Sequence, residues 1–269
     1  NYNGRKIKTI CFCTVSHPMY GFGGAEIMSY EYAVEFSRRG WRVFFLTQSG
    51  KKITDKFDND NIEVVTYPKF SFLRYYFILY RLIIKGKIDV VFFRNNTYPL
   101  GIIAFFQSLM GYLLVWSIKH DDKCGSHAAT AKLREINAES SSVLSKIKYD
   151  LIDRIFQYGV NNASYILAQN KVQKKIISAE FSKTAIINYS STFIPGYNPI
   201  RENMVLFIAT MKDFKRPHLY CKIAGHFSVN QYRFIMIGKN YNSATNSKYL
   251  MKEAKRNNVK YIGQLELEE

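Results

Sequence analysis

The stretch that decides the fold is Ser16-His17-Pro18-Met19-Tyr20-Gly21-Phe22-Gly23-Gly24-Ala25-Glu26. An apolar run, Thr9-Ile10-Cys11-Phe12-Cys13-Thr14-Val15, precedes it and reads as a buried strand. A helical run over 25–39 follows and stops at Gly40. A glycine-rich turn between a buried strand and a helix N-terminus lets backbone N–H groups come close to an anion, usually phosphate. The loop therefore predicts an α/β domain that handles a phosphorylated ligand, with a ligand-free turn as the alternative. Gly21-x-Gly23 is only the first half of the dinucleotide fingerprint, because Glu26 stands where its last glycine belongs. No Gly-Lys-Ser/Thr follows, so the loop is not the phosphate cradle of a P-loop enzyme.

Outward from that loop, strand and helix patterns alternate. Strands are predicted over 42–46, 62–67, 90–94, 112–118, 165–168 and 184–187, and helices over 70–84, 100–110, 147–161 and 170–177. The polar stretch 126–145 is ambiguous between loop and helix. Apolar strands alternating with helices predict a doubly wound parallel sheet. Residues 188–202, NYSSTFIPGYNPIRE, are rich in turn formers and read as a connection between domains. A second α/β pattern begins after it, with strands over 204–209, 233–237 and 259–262 and helices over 218–227 and 247–257. The predicted division is a first domain over 1–190, a linker over 191–202 and a second domain over 203–269. About sixty residues are few for a whole doubly wound domain, so the second is expected to be incomplete in this chain.

Composition narrows the partners. The net charge is +17, from 38 Lys and Arg against 21 Asp and Glu, which suits phosphorylated substrates, an anionic membrane surface or nucleic acid. The bases are scattered rather than clustered, which disfavours nucleic acid. Cys11 and Cys13 share one face of a strand, a poor geometry for a disulfide, and no Cys-x-x-Cys pair suggests zinc. Reduced cysteines in a cytosolic setting are the expectation. Residues 97–118 carry no charge and are long enough to span a bilayer. Gln107, Ser108 and Gly111 interrupt them, and a buried helix, a turn and a buried strand are predicted instead. The helical stretch over 70–84, FSFLRYYFILYRLII, places Arg74 and Arg81 among aromatic and aliphatic residues. It reads equally as a membrane-surface helix or as one buried on the sheet with snorkelling arginines.

Seven segments in order carry a resemblance. They are Gly23-Gly24-Ala25-Glu26, Phe36-Ser37-Arg38-Arg39-Gly40-Trp41-Arg42-Val43, Ile88-Asp89-Val90-Val91, Val115-Trp116-Ser117-Ile118-Lys119-His120-Asp121, the long run from Val205 to Pro217, Phe234-Ile235-Met236-Ile237-Gly238, and Val259-Lys260-Tyr261-Ile262-Gly263. Together they resemble the family 4 (group 1) glycosyltransferases of GT-B fold. That family implies an α/β, GT-B-like fold: a doubly wound parallel-sheet domain on the acceptor side, then a Rossmann-like domain for the nucleotide sugar. The implied activity is retaining transfer of a sugar from a nucleoside-diphosphate sugar to a saccharide or lipid-linked acceptor, in envelope polysaccharide or glycolipid synthesis. The implied location is cytoplasmic, peripheral at the inner face of the membrane.

The resemblance also assigns residues. His120 ends a strand where the family places a histidine against sugar and acceptor, and it is the expected catalytic residue. Gly23 and Gly24 are expected to line the substrate site, with a plain tight turn as the alternative. Lys215 is expected to meet the donor phosphate, and Arg216 beside it to add charge. A solvated loop lysine is the alternative for Lys215. Glu26 is equally well explained as favouring the helix dipole. Asp121 and Asp122 are given no catalytic role, and neither a metal nor a cofactor is expected. Two features depart from the family. Ala209-Thr210 stands where the family has Gly-Arg, and the family's Glu-x7-Glu motif falls beyond Gly263, past the end of the sequence. Half of the donor site, and with it turnover by this chain, is therefore expected to be missing. The rival readings are a non-catalytic nucleotide- or glycan-binding relative and a basic nucleic-acid-binding α/β protein.

Overall fold

The computed structural model describes residues 8–16, 24–49, 61–68, 71–95, 98–121, 124–128, 130, 143–189, 203–212, 215–227, 231–240 and 244–265. The chain divides into two compact units, Asn1–Ile194 and Pro195–Glu269.

The first unit is built on β1 (Thr9–Ser16), β2 (Arg42–Ser49), β3 (Ile62–Pro68), β4 (Val90–Phe93), β5 (Leu113–Ser117), β6 (Tyr165–Ala168) and β7 (Ile186–Ile187). These form one seven-stranded sheet in the order β3-β2-β1-β4-β5-β6-β7. Every pairing is parallel. The strand alternation sorts β1 between two cores. Ile10 and Phe12 enter one cluster with Val43, Phe45 and Phe92, while Cys11 and Cys13 enter the other with Phe44, Val91 and Phe93. Both faces of β1 are covered, which is why its sequence is continuously apolar. Its two thiols lie 3.9 Å apart and are free cysteines.

Helix α1 (Gly24–Arg38) packs by Ala33 on the first face. The second face carries α2 (Phe72–Gly86), α3 (Pro99–Met110), α4 (Val143–Asn162) and α5 (Lys171–Phe181). Residues 98–118 form a helix, a turn and a strand as predicted: α3 ends at Met110, Gly111 caps it with a left-handed φ of 72°, and β5 follows. No helix among the described residues is long and apolar enough to cross a membrane. Two glycines let α3 and α4 meet backbone to backbone. A Cβ on Gly159 would stand 2.6 Å from the Gly101 nitrogen, and one on Gly101 would run into the Ile155 carbonyl.

The second unit holds β8 (Met204–Ile208), β9 (Arg233–Ile237) and β10 (Val259–Gly263) in a parallel three-stranded sheet, order β10-β9-β8. Helices α6 (Pro217–Ala224) and α7 (Ala244–Arg256) connect them. Cys221, Ala224, Leu250 and Ala254 of the helices pack on Phe234, Met236 and Val259 of the strands.

Element edges differ from the sequence expectation where no local signal marks them. The strand expected over 184–187 pairs only at Ile186 and Ile187, as an edge strand held by β6 alone. Helix α4 begins at Val143 rather than 147, inside the stretch whose sequence was ambiguous. The rest of 126–145 lies mostly outside the described residues.

Candidate functional site

In the first sheet the winding reverses beside β1, which has β2 on one side and β4 on the other. Open α/β sheets bind ligands at such a switch point, outside the carboxyl ends of the strands. The residues that the chain delivers to that edge are therefore the candidate site.

Helix α1 starts there. Gly24 is its first residue and is exposed, and a Cβ on it would meet nothing within 4 Å. Glu26, in the first turn, accepts a hydrogen bond from Lys119 Nζ at 2.9 Å. The pair is mostly buried, with side-chain exposures of 23% for Lys119 and 12% for Glu26. Glu26 thus has a specific cationic partner from beyond β5, in addition to the helix N-terminus. Gly23 and His17 lie outside the described residues.

Arg94 directly follows β4 and is 4% exposed. Its backbone N–H donates to the Cys13 carbonyl at 3.3 Å, which fixes it beside β1. One guanidinium nitrogen, Nη2, faces the Met28 sulfur at 3.7 Å. Nε has no hydrogen-bond partner among the described residues. Burial pushes the guanidinium pKa down, while Tyr32 and Glu26 push it back up. Tyr32 in turn accepts a hydrogen bond from Asn188 Nδ2 at 3.0 Å, just past β7. Arg94 was not among the site residues expected from the sequence. Its signal was a cation directly after the uncharged strand Val90–Phe93.

His120 lies three residues past β5 on the same edge and is exposed. Its neighbour Asp121 is committed to structure. Asp121 Oδ1 accepts from Asn170 Nδ2 at 3.1 Å and from Gln173 Nε2 at 2.7 Å. Asn170 is the N-cap of α5, and its side chain accepts from the Gln173 N–H at 2.8 Å. The carboxylate therefore ties the β5 end to the α5 start. Asp122 lies outside the described residues.

In the second unit the carboxyl ends of β8 and β9 carry the other predicted residues. Lys215 and Arg216 stand between β8 and α6, both exposed. Arg216 holds a left-handed φ of 57° at the N-cap position of α6, and Pro217 fixes the first helical residue. A non-glycine residue there is strained backbone that the surrounding turn must hold. Lys212 and Lys239 are also exposed at this edge. Gly238 has φ 139°, and a Cβ on it would run into the Ala209 carbonyl, so the two strand ends touch through backbone. The structure thus brings Lys215 and Arg216 to one sheet edge with two further lysines, and His120 and Gly24 to another.

A surface hollow lined by Ser37, Trp41, Arg42 and Glu63 lies at the opposite, amino ends of β2 and β3 and is not part of this site. Among the described residues no group of three or more His, Cys, Asp or Glu is placed to hold a metal ion.

No family model matches the chain, and no curated protein sequence matches it. Solved structures do. The chain is similar to Anabaena HepE, solved in complex with UDP-glucose, at 15% identity and a TM-score of 0.63, over 97% of this chain and 70% of that one. It is similar to an α-glucosyltransferase solved with UDP and a 13-mer DNA, at 14% identity and a TM-score of 0.55, over 96% and 67%. A third match is the lipopolysaccharide outer core galactosyltransferase WaaB, at 15% identity and a TM-score of 0.50, over 96% and 68%. These neighbours are GT-B glycosyltransferases, and the fold of this chain is GT-B-like.

Proposed function

We propose that the protein is a glycosyltransferase that moves a sugar from a nucleoside-diphosphate sugar to a saccharide or lipid-linked acceptor. The observation that carries the reading is fold likeness over 97% of the chain to HepE, a protein solved with UDP-glucose. The second unit supplies what a diphosphate needs. Lys212, Lys215, Arg216 and Lys239 are exposed at the carboxyl edge of its sheet, where Ala209-Thr210 brings no cation of its own.

In the transfer, the bond between the sugar's anomeric carbon and the diphosphate oxygen breaks, an acceptor hydroxyl oxygen forms the new bond, and the hydroxyl's proton passes to the departing diphosphate. The leaving diphosphate gains negative charge as that bond lengthens. Lys215 and Arg216 would stabilise this charge without help from a metal. His120 would contact sugar and acceptor at the first sheet's edge, with Gly24 leaving room at the α1 N-terminus; Gly23, also proposed for the substrate site, lies outside the described residues. Retention of configuration, family 4 membership, and work at the cytoplasmic face of the membrane in envelope glycan synthesis complete the proposal.

The test is a thermal-shift panel of UDP, GDP and their common sugars, on the protein and on Lys215→Ala. A ligand that binds only the folded state raises the melting temperature. A rise of a few degrees with one nucleotide, lost in Lys215→Ala, is expected. No shift with any nucleotide overturns the donor assignment. The absence of a Gly-Arg pair at 209–210 favours a second reading, a binding relative without turnover. Release of UDP from a UDP-sugar in the presence of acceptors would eliminate the second reading. DNA belongs in that acceptor panel, because one structural neighbour was solved with it.

A further inference from the structure

The sequence left α2 undecided between burial and a membrane surface, and the structure buries one face of the helix and leaves another exposed. Tyr75, Leu79 and Ile83 point into the core beneath the sheet. Leu73, Phe77, Tyr80 and Ile84 are exposed, at 88%, 59%, 42% and 53%. Their spacing of four, three and four residues stacks them in one stripe along the helix. Arg74, Arg81 and Lys85 each follow a member of that stripe by one residue, except that Arg81 also lies four after Phe77. They form an exposed basic row beside the apolar one. The Arg81 guanidinium carbon stands 5.7 Å from the Phe77 ring centre, so the two rows are in contact. From Val64 to Ile88 the sequence has no Asp or Glu and five Lys or Arg. The neighbouring helix extends the apolar part: the Tyr76 and Phe106 rings are 6.4 Å apart, and Phe105 and Leu109 of α3 are exposed.

We propose that this face of α2, continued by α3, docks on an anionic lipid bilayer. The apolar stripe enters the headgroup and acyl boundary, and the basic row meets lipid phosphates. Aliphatic and aromatic side chains exposed along a helix, with an unbroken positive flank and no acid, are what an interfacial helix needs. A protein partner would equally cover the apolar stripe. The basic row and the net charge of +17 select a polyanionic surface. The inference deepens the membrane-face part of the proposed function, giving it a surface and named residues, and it stands apart from the donor assignment.

Vesicle flotation tests it. The full chain is mixed with vesicles of phosphatidylglycerol and phosphatidylcholine, or of phosphatidylcholine alone, at low and high salt. Two variants accompany it, Leu73→Ser with Phe77→Ser, and Arg74→Gln with Arg81→Gln and Lys85→Gln. All five side chains are exposed, so both variants should keep the native circular dichroism and melting temperature. The expected result is binding to the anionic vesicles only, weakened by salt and lowered at least about tenfold in each variant. Binding that ignores lipid charge, or that survives in the Ser variant, overturns the proposal. So does a concentration-dependent dimer that the Ser variant disperses while vesicles stay unbound, which would make the face a contact between copies. The UDP shift, read on the same preparations, fails or succeeds separately.

Discussion

Lys119 Nζ lies 2.9 Å from Glu26 Oε1 and joins the segment after β5 to the first turn of α1 across the carboxyl edge of the sheet. The bond fixes the helix start beside the switch point, where a ligand would approach. Partial burial gives it more weight than a surface ion pair.

Glu26→Gln should therefore destabilise the first unit by about 1 kcal/mol, or roughly 2–4 °C in melting temperature. Lys119→Met should cost a similar amount. A double-mutant cycle in urea should return a coupling well above zero. A coupling near zero would reduce the pair to a solvent contact.

Arg94 is buried beside that pair, with Glu26 and Tyr32 as its electrostatic neighbours. Arg94→Ala removes both volume and charge and should cost about 3 kcal/mol, read from the urea midpoint. Arg94→Met keeps most of the volume and should cost less than half of that. Equal losses in the two variants would assign the whole effect to charge.

Gly101 and Gly159 set the approach of α3 to α4. Gly101→Ala places a methyl group against the Ile155 carbonyl and should cost about 2–3 kcal/mol. Gly24→Ala is the matched control. Its Cβ meets nothing within 4 Å, so stability should change by less than about 0.5 kcal/mol. Calorimetry on the two variants tests the contrast directly.

Tyr67 carries a pH prediction. Burial pushes its phenol up to about 12 from an ordinary value of 10.0, and Tyr75 beside it is raised for the same reason. The stability that the protonated phenol contributes is complete below pH 10. It is lost as pH rises towards 12, because the unfolded chain releases its proton first. The urea midpoint should fall between pH 10 and pH 12, with a shallower fall over that window in Tyr67→Phe.

Much of the first sheet was legible because its signals are local. Val90–Phe93 and Ile10–Cys13 read as strands from apolar runs, and Gly40 and Gly111 read as helix stops. The uncharged stretch over 97–118 could be read as helix, turn and strand because Gly111 and two polar residues sit inside it. Element edges at 143 and 186 were not legible, since pairing and packing rather than local chemistry set them.

The sequence by itself determined the order of elements, the parallel character of the sheet and the residue types available at its carboxyl edge. Periodicity and turn chemistry are properties of neighbours along the chain, so they survive without the fold. Only the tertiary structure decided which of those residues meet. Glu26 and Lys119 are 93 positions apart, and Met28 and Arg94 are 66 apart. Asp121 was given no catalytic role from the sequence, and only the fold shows that Asn170 and Gln173 hold it. The three faces of α2 became separable only once the sheet covered one of them. Burial and long-range pairing depend on where the chain returns in space, and no single window of sequence carries that information.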